Sequence, residues 1–178
     1  MSSKENQSLN KNDLTCDLNS IKPKKEIKCY AVQIKILSNN NIALLSLDGI
    51  TIFDPKTFEK LLYIKANDDH LDDIYWQGEL ICLTELYDGK IVTCGEYQII
   101  LIYDISNYEK PKIIKYIWAQ GEEEDLDIRN DCVESIQKGH KFISGSTCGL
   151  QIYNGDKNYD LIKSFKFPTC GLLLLIKS

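Results

Sequence analysis

The stretch Ser144-Gly145-Ser146-Thr147-Cys148-Gly149-Leu150-Gln151-Ile152-Tyr153-Asn154 decides the fold. Small residues lead into a tight turn with glycine. Apolar and polar side chains then alternate, which is the two-residue period of a strand with one buried face. An aromatic residue followed by Asn closes the run. Looser copies stand earlier: Thr93-Cys94-Gly95-Glu96-Tyr97-Gln98 leading to Ile102-Tyr103-Asp104, and Ser46-Leu47-Asp48-Gly49 leading to Ile52-Phe53-Asp54. The closing pairs begin at Phe53, Tyr103 and Tyr153, 50 residues apart each time, and Cys82 and Cys132 share that interval.

Working outward, each copy sits in a set of four short β-rich runs. The first is Val32 to Leu37, Ile42 to Ser46, Ile50 to Phe53 and Leu61 to Lys65, broken at Asn39-Asn40-Asn41, Asp48-Gly49 and Asp54-Pro55-Lys56-Thr57. The second is Ile81 to Leu86, Ile91 to Cys94, Ile99 to Tyr103 and Lys112 to Trp118, with the hairpin signal Asp88-Gly89 inside it. The third is Cys132 to Gln137, Phe142 to Ser144, Leu150 to Tyr153 and Leu161 to Phe167. No stretch carries a 3.6-residue apolar period. A four-strand unit repeated at this length is the signature of propeller blades, which bury both faces only against neighbours. The expected fold is all-β and β-propeller-like, with about three four-stranded antiparallel blades over 30–65, 80–118 and 131–167 plus one extra strand. Residues 1–26, rich in Ser, Asn, Lys and Asp, read as a disordered tail, and 27–178 as the blades and the start of a further one.

The extra run, Gly171 to Ile176, is apolar on both faces and looks like the inner strand of a missing fourth blade. Three blades and a strand do not close a ring of the usual 4 to 8 blades. The sequence therefore predicts an incomplete propeller whose open side drives self-association, and truncation after Phe167 is expected to favour smaller species.

The hairpin from Ser144 to Asn154 resembles the second-to-third-strand hairpin of the WD-repeat family, and the resemblance covers roughly residues 30 to 176. Phe or Tyr stands where that family has its Trp. The Gly-His dipeptide that precedes a blade's first strand is absent; Gly139-His140 falls instead in the turn after a first strand. Only Ser46 and Asp48 approximate positions of the family's buried hydrogen-bond network. A kelch-type propeller shares the spacing, but its adjacent glycine pair is missing.

Composition narrows the function. The 178 residues carry 43% hydrophobic side chains and a formal charge of −5, with Arg129 the sole arginine, so the phosphate-neutralising face of a nucleic-acid binder is not expected. No apolar run approaches the roughly 20 residues of a membrane-spanning helix, and Met1 to Ser20 has no signal-peptide pattern, so neither membrane nor secretion is expected. The seven cysteines contain no C-x-x-C pair and read as buried reduced thiols of a cytoplasmic protein, without metal or other cofactor. Cys82 and Cys132 are expected to be buried and outside any disulfide. His70 and His140 lie in a connection and a turn, and no nucleophile elbow, phosphate loop or dinucleotide fingerprint exists, so the chain reads as a non-enzyme.

Binding chemistry is confined to two acidic connections. Asp68, Asp69, Asp72 and Asp73 follow the first set; Glu122, Glu123, Glu124, Asp125 and Asp127 follow the second. Equivalent loops of successive blades emerge on one face, where these carboxylates would attract Lys/Arg-rich protein segments, although such runs are also common as plain solvated loops. Trp76, beside Tyr75, and Trp118 are aromatic candidates for an interface or for the rim of the core. The reading is a protein–protein interaction scaffold; the alternative is a substrate-recruiting portion of a larger enzyme, such as a ubiquitin ligase or kinase.

Overall fold

The computed structural model describes residues 30–66, 79–95, 99–118, 130–146, 149–156 and 158–166. They form twelve strands: β1 (Gln33–Ile36), β2 (Ile42–Ser46), β3 (Gly49–Phe53), β4 (Lys60–Lys65), β5 (Leu80–Glu85), β6 (Ile91–Gly95), β7 (Ile99–Asp104), β8 (Lys112–Trp118), β9 (Asn130–Ile136), β10 (Lys141–Ser146), β11 (Gly149–Asn154) and β12 (Leu161–Lys166). Each consecutive four make an antiparallel meander, and the three sheets are three blades. The only helical element among the described residues is a 3-10 turn at Gln137–Gly139. The fold is all-β and propeller-like. The tail 1–26 and the run Gly171 to Ile176 lie outside the described residues.

Strand register aligns the blades. Phe53, Tyr103 and Tyr153 face Ile42, Ile91 and Phe142 across the second and third strands. Gln33, Cys82 and Cys132 face Leu45, Cys94 and Gly145 across the first and second. The first-strand cysteines are therefore equivalent. Both are half-buried thiols, which corrects the expectation of full burial. Their side chains project from strands that have a sheet neighbour on one side only.

The middle blade differs at one hairpin. Ser46 pairs directly with Gly49 and Ser146 with Gly149, whereas Cys94 pairs with Ile100 across a longer turn. The short turns hold Gly49 at φ 155° and Gly149 at φ 144°, and a Cβ at either would collide with the carbonyl oxygen of Ile64 or Phe165 on the fourth strand. Ile99 occupies the corresponding place in the middle blade. The aromatic–Asx ending of each third strand divides its work. The ring packs on a blade face, while Asp54, Asp104 and Asn154 accept backbone N–H bonds from Lys56, Ser106 and Asp156 at 2.8, 2.9 and 3.1 Å, shaping the next turn. Those backbone bonds hold the Asp54 and Asp104 carboxyls below the usual carboxylate range.

Two seams bury the core. In the first, Ala43, Leu45, Ile50 and Ile52 of one blade pack on Leu83, Ile91, Leu101 and Tyr103 of the next. In the second, Val92, Cys94, Ile100 and Ile102 meet Val133, Phe142 and Tyr153. Phe142 and Tyr153 stack with centroids 5.0 Å apart, and Tyr153 donates its hydroxyl to Gln151 Oε1 at 2.6 Å. Burial pushes that phenol up to about 12.

Candidate functional site: the inner strands and the blade ends

A first strand pairs on one side only, so its other edge presents backbone N–H and C=O groups that burial would leave unsatisfied. Side chains of the neighbouring blade satisfy them. Gln33 Oε1 accepts the Leu83 N–H at 2.6 Å, Cys82 Sγ donates to the Val133 carbonyl at 3.3 Å, and Thr84 Oγ1 accepts the Ser135 N–H at 3.0 Å. Gln33 and Cys82 are equivalent positions, so one device recurs at both seams.

Two residues further along, the equivalent positions are Lys35, Thr84 and Glu134, facing Ala43, Val92 and Ile143. They join in a polar cluster where the three inner strands meet. Lys35 Nζ donates to Thr84 Oγ1 at 2.8 Å and to Glu134 Oε1 at 2.9 Å, and Thr84 Oγ1 donates to Glu134 Oε1 at 3.1 Å. Thr84 is fully buried, while Lys35 and Glu134 retain 24% and 39% of their side-chain exposure, so solvent moderates the ion pair. Charge and hydrogen bonds close within the cluster, which suits a lock between blades. Sequence reading missed it. The available signal was a polar side chain at a 49- and then 50-residue interval inside runs otherwise read as apolar.

At one end of the blades, the turns after β1, β5 and β7 enclose a polar cleft of about 820 Å³. Ser38 donates its N–H and its hydroxyl to the two Glu85 carboxylate oxygens at 2.7 and 2.8 Å, and Tyr108 OH accepts from Asn39 and Asn41 at 2.9 Å each. At the second seam His140 stacks on Tyr87 with centroids 4.2 Å apart, and its Nδ1 lies 3.3 Å from Asp156 Oδ1. His140 is exposed and serves as a seam contact. Among the described residues no three His, Cys, Asp or Glu side chains converge as metal ligands do.

Asp68, Asp69, Asp72, Asp73, Trp76, Glu122, Glu123, Glu124 and Asp125 all lie outside the described residues, as does His70. The strands flanking their connections are described. Within a blade, Gly49 pairs with Lys65 and Ser46 with Gly49, so the start of β3 and the ends of β2 and β4 share one end of the sheet. Leu80, Gly95, Ile99 and Trp118 do the same in the middle blade. Both acidic connections therefore leave from the end opposite the cleft. Trp118, at that end, is 54% exposed and does not cover a core.

No protein-family model matches the chain, and no curated protein does. Among solved structures, the fold is similar to the "Crystal structure of RRP9 WD40 repeats", with a TM-score of 0.61 and 12% sequence identity. The match covers 80% of this chain and 40% of that one, so the chain spans less than half the length of its structural relative. At that identity the likeness speaks for fold alone, and the fold is a WD-repeat-like propeller of three described blades.

Proposed function

We propose that the chain is a non-enzymatic, cytoplasmic scaffold for protein–protein contacts, a divergent member of the WD-repeat family, that receives Lys/Arg-rich segments at the end carrying its inter-blade connections. The observation that carries this reading is the shared polarity of the blades. The strand ends at Lys65, Leu80, Trp118 and Asn130, which flank both acidic connections in the sequence, lie at the same end of their blades. Carboxylates that share one end of a molecule add their fields, and such a field attracts cationic partners. The exposed Trp118, at the end of β8 where the second connection begins, offers an aromatic anchor. No helix among the described residues is long and apolar enough to cross a membrane.

The test is a fluorescence-anisotropy titration with a labelled Lys/Arg-rich peptide and a neutral peptide of equal length. The reading expects saturable binding of the basic peptide that weakens with added salt. Neutralising Asp68, Asp69, Asp72 and Asp73 to Asn, or Glu122, Glu123 and Glu124 to Gln, should each lower affinity, and the combined variant should lower it further. Equal binding of both peptides, or affinity untouched by the combined variant, would refute it.

A further inference from the structure

Strand register sets two cysteines face to face in the middle blade. Cys82 of β5 is the cross-strand partner of Cys94 of β6, and both pack into the second seam. The equivalent pairs in the other blades are Gln33 with Leu45 and Cys132 with Gly145, so of the three pairs the middle one alone joins two thiols.

The pairing has the spacing a disulfide needs. The Leu83 N–H is turned outward to Gln33, so alternation along β5 turns the backbone groups of Cys82 inward to β6. Directly opposed residues of that hydrogen-bonded kind have Cα atoms about 5.5 Å apart, inside the roughly 4.4–6.8 Å that a disulfide spans. The sulfurs already interact, Cys94 donating its S–H to Cys82. The two thiols are not alike. Cys94 is fully buried, whereas Cys82 is half-buried on a strand with one free edge. The hydrogen bond from Cys94 holds the Cys82 thiol at about 7 against the opposing effect of burial, while Lys35 and Glu134 act on it in opposite senses. A thiol that ionises readily, is reachable from solvent and touches a second thiol meets the requirements for attack on a peroxide followed by resolution.

We propose that Cys82 and Cys94 form a reversible oxidation site, Cys82 being the thiol that a peroxide oxidises and Cys94 the thiol that resolves it to a disulfide. The Cys82 thiolate attacks one peroxide oxygen and the O–O bond breaks. The other oxygen leaves as hydroxide and takes up a proton to become water, and Cys82 becomes a sulfenic acid. The Cys94 sulfur then attacks the Cys82 sulfur: an S–S bond forms, the S–O bond breaks, and hydroxide departs with the Cys94 proton as water. In sum, two thiols and one hydrogen peroxide give one disulfide and two waters, with two electrons passing from sulfur to oxygen. The disulfide carries no S–H, so the Val133 carbonyl loses the bond that Cys82 gives it across the seam. Oxidation thereby removes a polar contact between the middle and last blades. The site is independent of the binding of basic segments.

The test treats the full, reduced chain with hydrogen peroxide, alkylates the remaining thiols, and maps peptides by mass spectrometry without reduction. Trypsin cleaves after Lys90, which separates the two cysteines, so a bond between them keeps two peptides joined. The expected product is that joined pair, lighter by two hydrogens than the separate peptides, released by dithiothreitol, and formed while Cys132 is still open to alkylation. Cys94→Ser should lose the joined peptides and leave a Cys82 sulfenic acid that dimedone traps. Cys82→Ser should lose both signals. If Cys94→Ser does not fold, the intact chain decides the matter: the joined pair should form in buffer and give way to mixed pairings among the seven cysteines in urea. Mixed pairings already in buffer, oxidation of Cys132 ahead of Cys82, Cys82 driven to sulfinic acid with no joined peptides, or no oxidation at all would overturn the proposal. A chain that forms the bond yet ignores basic peptide would overturn the scaffold reading and leave this one standing.

Discussion

Replacing Gln33 with Leu tests whether the blades are locked through their inner strands. The amide oxygen of Gln33 is the partner of the Leu83 N–H at 2.6 Å, and Leu83 is fully buried. Leucine keeps much of the side-chain volume but removes the acceptor, so a buried donor is left without a partner. That omission costs about 1–3 kcal/mol. With a urea dependence of about 1–3 kcal/mol per molar for a small protein, the unfolding midpoint falls by roughly 1 M. Gln33→Glu retains an acceptor oxygen and should recover most of the loss. The assay is urea unfolding followed by circular dichroism and by tryptophan fluorescence, which should give coincident transitions. A Gln33→Leu variant with the midpoint of the parent chain would refute the lock, because the Leu83 N–H would then not depend on the neighbouring blade.

Gly149→Ala should destabilise the chain by about 2–4 kcal/mol, the combined effect of a positive-φ side chain and overpacking against the Phe165 carbonyl, whereas Ile99→Ala at the equivalent place should show only the loss of side-chain burial; thermal melts compare the two. A hydrogen bond from Cys94 lowers the Cys82 thiol to about 7 against the opposing effect of burial, so its alkylation rate should rise with a midpoint near pH 7, and Cys94→Ala should move that midpoint upward. Because the unfolded thiol titrates near 9.0, this group's contribution to stability is fully present above pH 9 and is lost as pH falls through 7, which urea midpoints across that window read directly. Tyr153 behaves in the opposite sense: its phenol is held near 12 by burial, so the folded chain keeps the proton that the unfolded chain releases near 10.0, and stability should fall between those values. Absorbance at the phenolate band follows it, and Tyr153→Phe should flatten that part of the profile.

Much of the architecture was legible because a propeller blade is a local object. Phe53, Tyr103 and Tyr153, at 50-residue intervals, mark third strands, and the Asp88-Gly89 turn behaves as its residues require, with Gly89 at φ 80°. What sequence could not supply was which positions look inward. Lys35, Thr84 and Glu134 read as incidental polar residues within apolar strands. Only alignment of the three inner strands shows that they meet, and that alignment depends on the longer hairpin after Cys94, which moves the middle blade's first two strands by one residue relative to its third. Cys82 was legible only in part: alternation placed it with apolar neighbours, and it does pack against the second seam, but its sulfur also crosses to the Val133 carbonyl. The acidic connections were the clearest chemical signal in the chain, and they lie outside the described residues, so their reading rests on the strands that flank them.

Three equivalent blades hold one another through the outward edges of their first strands. Residue-resolved amide hydrogen exchange at Leu83 and Ser135 is the decisive measurement, since Gln33 of the neighbouring blade bonds the first N–H, and Thr84 of the neighbouring blade shares the second with Glu134. Slow exchange is expected at both, comparable to amides of the central strands β6 and β10, with the Leu83 amide alone accelerated in Gln33→Leu. Exchange at either site as fast as that of an open strand edge would contradict it.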